Sequence, residues 1–206
     1  MKIAVFVSGG GTNLQAIIDN TKDGILKDIE IVLVLSSSKD AYALERAANN
    51  GIKSAVVSRK DFDSIEAWDE KVVEEVKNSG AELIVLAGYL SLLGPKIVSE
   101  YSNRIINIHP ALIPSFCGAG MYGIRPHKAA LAKGVKVSGA TVHFVNENYD
   151  EGPILLQKAV DVLPDDTPET LQKRIMQECE WKILPQAIRL IADGRVVIEN
   201  NICHVK

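Results

Sequence analysis

An amide and an imidazole, two positions apart, interrupt the apolar run Ile105-Ile106-Asn107-Ile108-His109-Pro110. Side chains alternate faces along a strand, so Asn107 and His109 point one way while Ile106 and Ile108 point the other. Proline cannot donate to a sheet ladder, so the strand should stop there with His109 at its tip. A hydrogen-bond donor and a titratable group are thereby presented together, which is equipment for acid–base chemistry. A carboxylate near His109 would stabilise its imidazolium and raise its pKa. Asp150, in the polar loop Asn146-Glu147-Asn148-Tyr149-Asp150-Glu151-Gly152-Pro153, has the right chemistry. Taken by itself, Asp150 reads first as a turn residue, because Gly152 and Pro153 favour a turn anyway.

A third constellation is Ser8-Gly9-Gly10-Gly11-Thr12-Asn13, between an apolar run and an amphipathic one. Glycines let the backbone turn tightly, and N–H groups at a helix start bind anions. Thr12 and Asn13 can cap the helix or donate to a phosphate oxygen. A dinucleotide site wants a further glycine where Leu14 stands and an acidic residue after the second strand, which here ends in Ser36-Ser37-Ser38. The nucleoside triphosphate pattern is missing too, so a phosphate monoester on a small molecule is the expected anion.

Strands are expected at residues 2–8, 29–35, 54–57, 83–87 and 105–109. Helices are expected at 13–20, 43–50 (capped by Gly51), 95–101, and from Ile65 with Trp68, Val72, Val73 and Val76 on one face and Gly80 beyond its end. Alternation of this kind predicts an α/β fold: a Rossmann-like, mostly parallel twisted sheet with helices on both faces. The C-terminal part adds a glycine-rich loop over 116–125, a short helix at 127–133, strands at 138–145 and 154–160, and a long helix from 169 to 192. Pro185 should kink or break that helix, and a small terminal strand is expected at 196–198. In open α/β sheets ligands bind at the carboxyl ends of strands, where the glycine turn, the Gly88 loop, Asn107/His109 and the Asp150 loop all fall.

A chain of 206 residues fits one domain, or one with a small extension, and buries roughly 70% of its unfolded surface without a disulfide or metal staple. Twenty-three basic against 26 acidic residues give a net charge of −3, no field for nucleic acid or a membrane surface. Cys117, Cys179 and Cys203 form no Cys-x-x-Cys and read as reduced thiols in a cytoplasmic protein. No apolar run is long enough to span a bilayer, the residues before Ser8 are too few for a signal peptide, and no histidine–carboxylate spacing resembles a metal site. His143 reads as a satisfied core or supporting residue, His127 as one that could face the pocket, and His204 as solvated.

The segments 8–17, 107–110, 138–145 and 150–153, in that order, closely resemble the motifs of the phosphoribosylglycinamide formyltransferases, folate-dependent enzymes of purine synthesis. The resemblance implies one formyltransferase domain over 1–206, with a phosphate-binding half (1–105) and a catalytic, folate-binding half (106–206). It implies that Gly11, Thr12 and Asn13 hold the phosphate of the ribonucleotide, with Gly88, Pro110 and Glu180 also touching that substrate. Its folate site would be lined by Ile65, Tyr89, Leu90, Ser91, Leu92, Leu93, Val98, Asn107 and residues Asn146, Glu147, Asn148, Tyr149 and Asp150. Asn107, His109 and Asp150 match the catalytic trio, with Asp150 keeping His109 protonated. The cosubstrate would be 10-formyltetrahydrofolate, with no metal, and the protein a monomer or homodimer without nucleic-acid or membrane partners. Many bacterial members carry arginines where Ile65 and Ser91 stand, towards the glutamate tail of the folate. The last long helix carries one residue more than in many members, which leaves Glu178 beside Glu180 as the substrate-contacting glutamate.

The rivals are another formyl-handling enzyme and a binder of phosphorylated metabolites. Methionyl-tRNA formyltransferase adds a nucleic-acid-binding domain, and formyltetrahydrofolate hydrolase a regulatory one before its first strand. The start at Met1, the end at Lys206 and the lack of basic excess argue against both. A formyltransferase acting on another amine is the remaining alternative, since the Asn-x-His…Asp set recurs across 10-formyltetrahydrofolate enzymes.

Overall fold

Apolar runs become strands and amphipathic runs become helices in a computed structural model that describes residues 1–206. Seven strands are hydrogen-bonded in the order β3-β2-β1-β4-β5-β6-β7. The chain divides into two compact units, Met1–Ile106 and Asn107–Lys206.

In the first unit β1 (Lys2–Val7) runs parallel to both β2 (Glu30–Ser36) and β4 (Leu83–Leu86), and β2 runs parallel to β3 (Ser54–Val56). Ile3 to Val7 are all fully buried, as expected of a parallel strand covered on both faces. Helices α1 (Thr12–Lys22), α2 (Tyr42–Asn49), α3 (Ile65–Ser79) and α4 (Pro95–Glu100) alternate with these strands. Ser64 caps α3 by accepting from the Ala67 N–H. Trp68, Val72, Val73 and Val76 form its buried stripe, whereas Ile65 is 52% exposed. The expected apolar face therefore starts one turn later than the sequence pattern indicates. Asp69 on the same helix is buried because it accepts from the Lys96 and Ile97 N–H groups, at 2.7 and 3.2 Å, capping the turn that Pro95 opens.

Strand β5 (Ile105–His109) occupies the residues expected of it. In the second unit β6 (Val137–Phe144) pairs antiparallel with β7 (Ile154–Asp161), so the sheet is parallel only in part. Helix α5 (Arg125–Lys133) precedes β6. The long C-terminal helix is interrupted: α6 (Pro168–Ile175) passes through a π turn, Met176–Glu180, into α7 (Trp181–Ala192). The expected break at Pro185 is displaced. Pro185 lies one turn inside α7, where it cannot donate to the carbonyl four residues back, and the irregularity is taken up in the turn just before it. The terminal strand is in fact a hairpin, β8 (Val196–Glu199) and β9 (Ile202–Val205), closed by Asn200 and Asn201, both with positive φ. No helix is long and apolar enough to cross a membrane.

Candidate active site

One face of β6 organises the second unit's polar cluster. Residues 139, 141 and 143 alternate onto it; the first two meet the segment that follows β5, and the third meets Asn107 within β5. A Cβ at Gly139 would stand 2.1 Å from the Lys158 carbonyl and 2.9 Å from Leu112 Cδ2, so only glycine admits that segment. Buried Thr141 donates to the Ala111 carbonyl at 2.7 Å and accepts from the Ile113 N–H at 3.1 Å. His143 lies where the β6–β7 register slips. Its Nδ1 donates to the Phe144 carbonyl at 2.8 Å, which leaves Nε2 to accept from the Asn107 amide at 3.2 Å.

His109 is 3% exposed. Its Nε2 lies 2.9 Å from the Phe116 carbonyl, an obligate acceptor, so the proton of the neutral ring sits on Nε2. Nδ1 faces Asp150 Oδ2 at 3.6 Å, and Asp150 Oδ1 lies 3.5 Å from His143 Nε2. Asp150 adopts positive φ, and its Oδ2 accepts from the Gly118 N–H at 2.8 Å. Consecutive stretches of one glycine-rich loop thus engage both His109 and Asp150.

Burial is the largest influence on His109 and lowers its pKa. The Asp150 charge and the Phe116 carbonyl push it up, His143 pushes it down, and the net is below the ordinary histidine value. Asp150 raises the His109 pKa, as expected of a carboxylate beside it, and desolvation works against that effect. Burial also works against the Asp150 carboxylate, but its neighbours, the Gly118 N–H among them, hold its pKa below the usual aspartate value. In its neutral form the imidazole accepts a proton at Nδ1 and donates from Nε2.

His143 is the fourth member, which the sequence marked only as a core or supporting residue. The i, i+2 alternation of Gly139, Thr141 and His143 was the signal for it. His127, at the third position of α5, is 1% exposed with no hydrogen-bond partner on either ring nitrogen, and burial followed by the nearby His109 pushes its pKa down to about 4. Of the two glutamates, Glu180 is buried and Glu178 exposed. Glu180 is the last residue of the π turn that precedes α7.

In the first unit Gly11 forms the N-cap of α1, with φ 68° and no side-chain cap, and Thr12 and Asn13 are the helix's first residues. Gly11 is required by the fold: a Cβ there would lie 2.6 Å from that of Ala43. At Gly9 and Gly10 a Cβ would meet nothing within 4 Å, so the chain itself does not demand glycine at either. Ser8 ties three strand ends together, its hydroxyl 2.6 Å from that of Ser37 and accepting from the Leu90 N–H at 2.8 Å. In the loop that begins at Gly88 (φ 72°), Tyr89 packs edge-on against Phe6 at 5.2 Å. Leu93 is buried beside it in sequence, whereas Leu90 and Leu92 are more than half exposed.

This α/β fold is that of a formyl transferase. Residues 1–188 match the family model described as formyl transferase, and the chain belongs to that family. It is 38% identical over 204 residues to the phosphoribosylglycinamide formyltransferase of Haemophilus influenzae, covering 99% of this chain and 93% of that one. It is 42% identical over 198 residues to the chloroplastic phosphoribosylglycinamide formyltransferase of Arabidopsis thaliana, covering 95% of this chain. The crystal structure of glycinamide ribonucleotide transformylase 1 from Symbiobacterium toebii superposes with a TM-score of 0.93 at 43% identity, covering 100% of this chain and 93% of that one. The chain spans 66% of the plant relative and 14% of a trifunctional relative from Drosophila melanogaster.

Proposed function

We propose that this protein transfers the formyl group of 10-formyltetrahydrofolate to the amine of 5-phosphoribosylglycinamide, in the cytoplasm, as a step of purine biosynthesis. The observation that carries the reading is the cluster of Asn107, His109, His143 and Asp150, with Asp150 3.6 Å from His109. Its chemistry fits an attack on a carbonyl, and the relatives' names supply the substrate. In the first unit the uncapped start of α1 would hold the phosphate through Gly11, Thr12 and Asn13, and the exposed Leu90 and Leu92 offer apolar surface to a pterin. Gly88, Pro110 and buried Glu180 are the further substrate contacts. Ile65, Tyr89, Ser91, Leu93, Val98 and residues 146–149 complete the folate contacts.

The folate supplies an electrophilic formyl carbon, and the protein does the rest. As the substrate amine bonds to that carbon, the carbonyl electron pair moves onto oxygen. The Asn107 amide donates to that oxyanion, and the His109 Nε2–H does so by exchanging the Phe116 carbonyl for it; removing one such donor typically costs ~3–4 kcal/mol of transition-state stabilisation. His109 makes this donation as a neutral ring. Asp150 then favours a second proton on Nδ1 while the charge is present, and can pass the amine's proton towards the departing nitrogen. Breakage of the carbon–nitrogen bond to the folate restores the carbonyl, and no enzyme-bound acyl group forms.

The test is to mix the protein with 10-formyltetrahydrofolate and 5-phosphoribosylglycinamide and follow tetrahydrofolate formation. Tetrahydrofolate should appear only when the ribonucleotide is present. Release without it would mark a hydrolase, and none in either mixture would overturn the assignment.

A further inference from the structure

We infer that Arg46 is a positioning residue for phosphate binding: it holds the glycine turn so that two backbone amides face the anion. The inference rests on the reading of that turn as the phosphate site and adds a residue to it from another element. Helix α2 meets the turn at two carbonyls. The Gly9 carbonyl accepts from the Ala43 N–H at 3.0 Å, and the Gly10 carbonyl accepts from Arg46 Nε at 2.8 Å. In a trans peptide the carbonyl and the following N–H point in opposite directions. Pinning both carbonyls towards α2 therefore turns the Gly10 and Gly11 amides away from that helix.

The close approach depends on Gly11, since any Cβ there would overlap Ala43 and crowd Arg46 Cδ at 3.3 Å. The guanidinium is itself fixed. Its Nη1 donates to Gln15 Oε1 at 3.0 Å, Gln15 Nε2 donates to Asp19 at 2.8 Å, and the Tyr42 ring lies 5.0 Å from Cζ. A planar fork held on three sides cannot swing away from Gly10, and it brings a positive charge to the turn. Side-chain packing of α1 on α2 would explain the Gln15 contact but not a guanidinium on the carbonyl between two ligand-facing amides.

Phosphate affinity and catalysis should separate in Arg46 variants. In the wild-type protein, inorganic phosphate is expected to shift the ¹H–¹⁵N signals of Gly10 and Gly11. In Arg46→Met, the Kd for phosphate and the KM for 5-phosphoribosylglycinamide should both rise by roughly ten-fold or more, the size of one charge-assisted hydrogen bond. The kcat and the KM for 10-formyltetrahydrofolate should stay within about two-fold, as for loss of uniform binding. Arg46→Lys keeps the stem and the charge but cannot hold Gly10 and Gln15 from one rigid plane, so it should also lose affinity. Wild-type phosphate affinity in Arg46→Lys and Arg46→Met would overturn the role of Arg46 while leaving the turn as the phosphate site. Unmoved Gly10 and Gly11 signals in the wild type would overturn both.

Discussion

Asp150 Oδ2 lies 3.6 Å from His109 Nδ1 while the same oxygen accepts the Gly118 N–H at 2.8 Å. The carboxylate is thus close enough to steady a proton on the imidazole. His109 should titrate with a midpoint below 6.5 in an NMR pH series, because burial is its largest influence. In Asp150→Asn the midpoint should fall further, since the group that pushes it up is gone. A midpoint above 6.5 in the wild type would restore the imidazolium resting state.

His143 joins the two halves of the cluster, accepting from Asn107 and facing Asp150. Truncation to alanine leaves the Asn107 amide and Asp150 without their common neighbour. The expected result is a fall in kcat of about 10- to 100-fold, less than loss of a direct acid–base group, with KM values little changed. Steady-state kinetics of His143→Ala decide this, and unchanged kcat would make His143 a packing residue.

Gly152 fixes where the Asp150 loop leaves β6. A Cβ there would sit 1.8 Å from the Phe144 carbonyl, the same oxygen that receives His143 Nδ1. Gly152→Ala must displace backbone, and overpacking of this kind costs about 1–3 kcal/mol. Urea denaturation should show that loss together with lowered formyl transfer.

His127 makes stability depend on pH. Its folded pKa of about 4 lies below the unfolded value of 6.5, so folding favours the neutral ring. The stabilisation is fully present above pH 6.5 and is lost as pH falls towards 4, by at most about 3.5 kcal/mol at ~1.4 kcal/mol per unit. Wild-type protein should lose stability between pH 6.5 and 4 more steeply than His127→Phe in parallel urea titrations.

Much of this was legible in the chain itself, for reasons specific to each element. Residues 105–109 declared their strand because proline terminates it and Asn107 and His109 share a parity. Asp150 could not be placed from its own neighbours, since a turn aspartate and a catalytic one look alike until the fold brings β6 and its loop to His109. The protonation state of His109 was also out of reach: it depends on burial, which no local pattern reports. Only the first strand of the C-terminal hairpin was expected, although Asn200-Asn201 between two apolar runs marks a two-residue turn. The π turn at Met176–Glu180 could not be read, because Pro185, nine residues beyond the start of that turn, drew the expected break.

The central claim is that the Asp150 charge beside His109 drives formyl transfer. Its most direct measurement is the rate at which Asp150→Asn transfers the formyl group from 10-formyltetrahydrofolate to 5-phosphoribosylglycinamide, at saturating substrates. Asparagine keeps an oxygen for the Gly118 N–H and removes the charge, so a loss of about 10²–10⁴-fold with an unchanged unfolding midpoint is predicted. A rate within about two-fold of wild type, with the same fold, would contradict it.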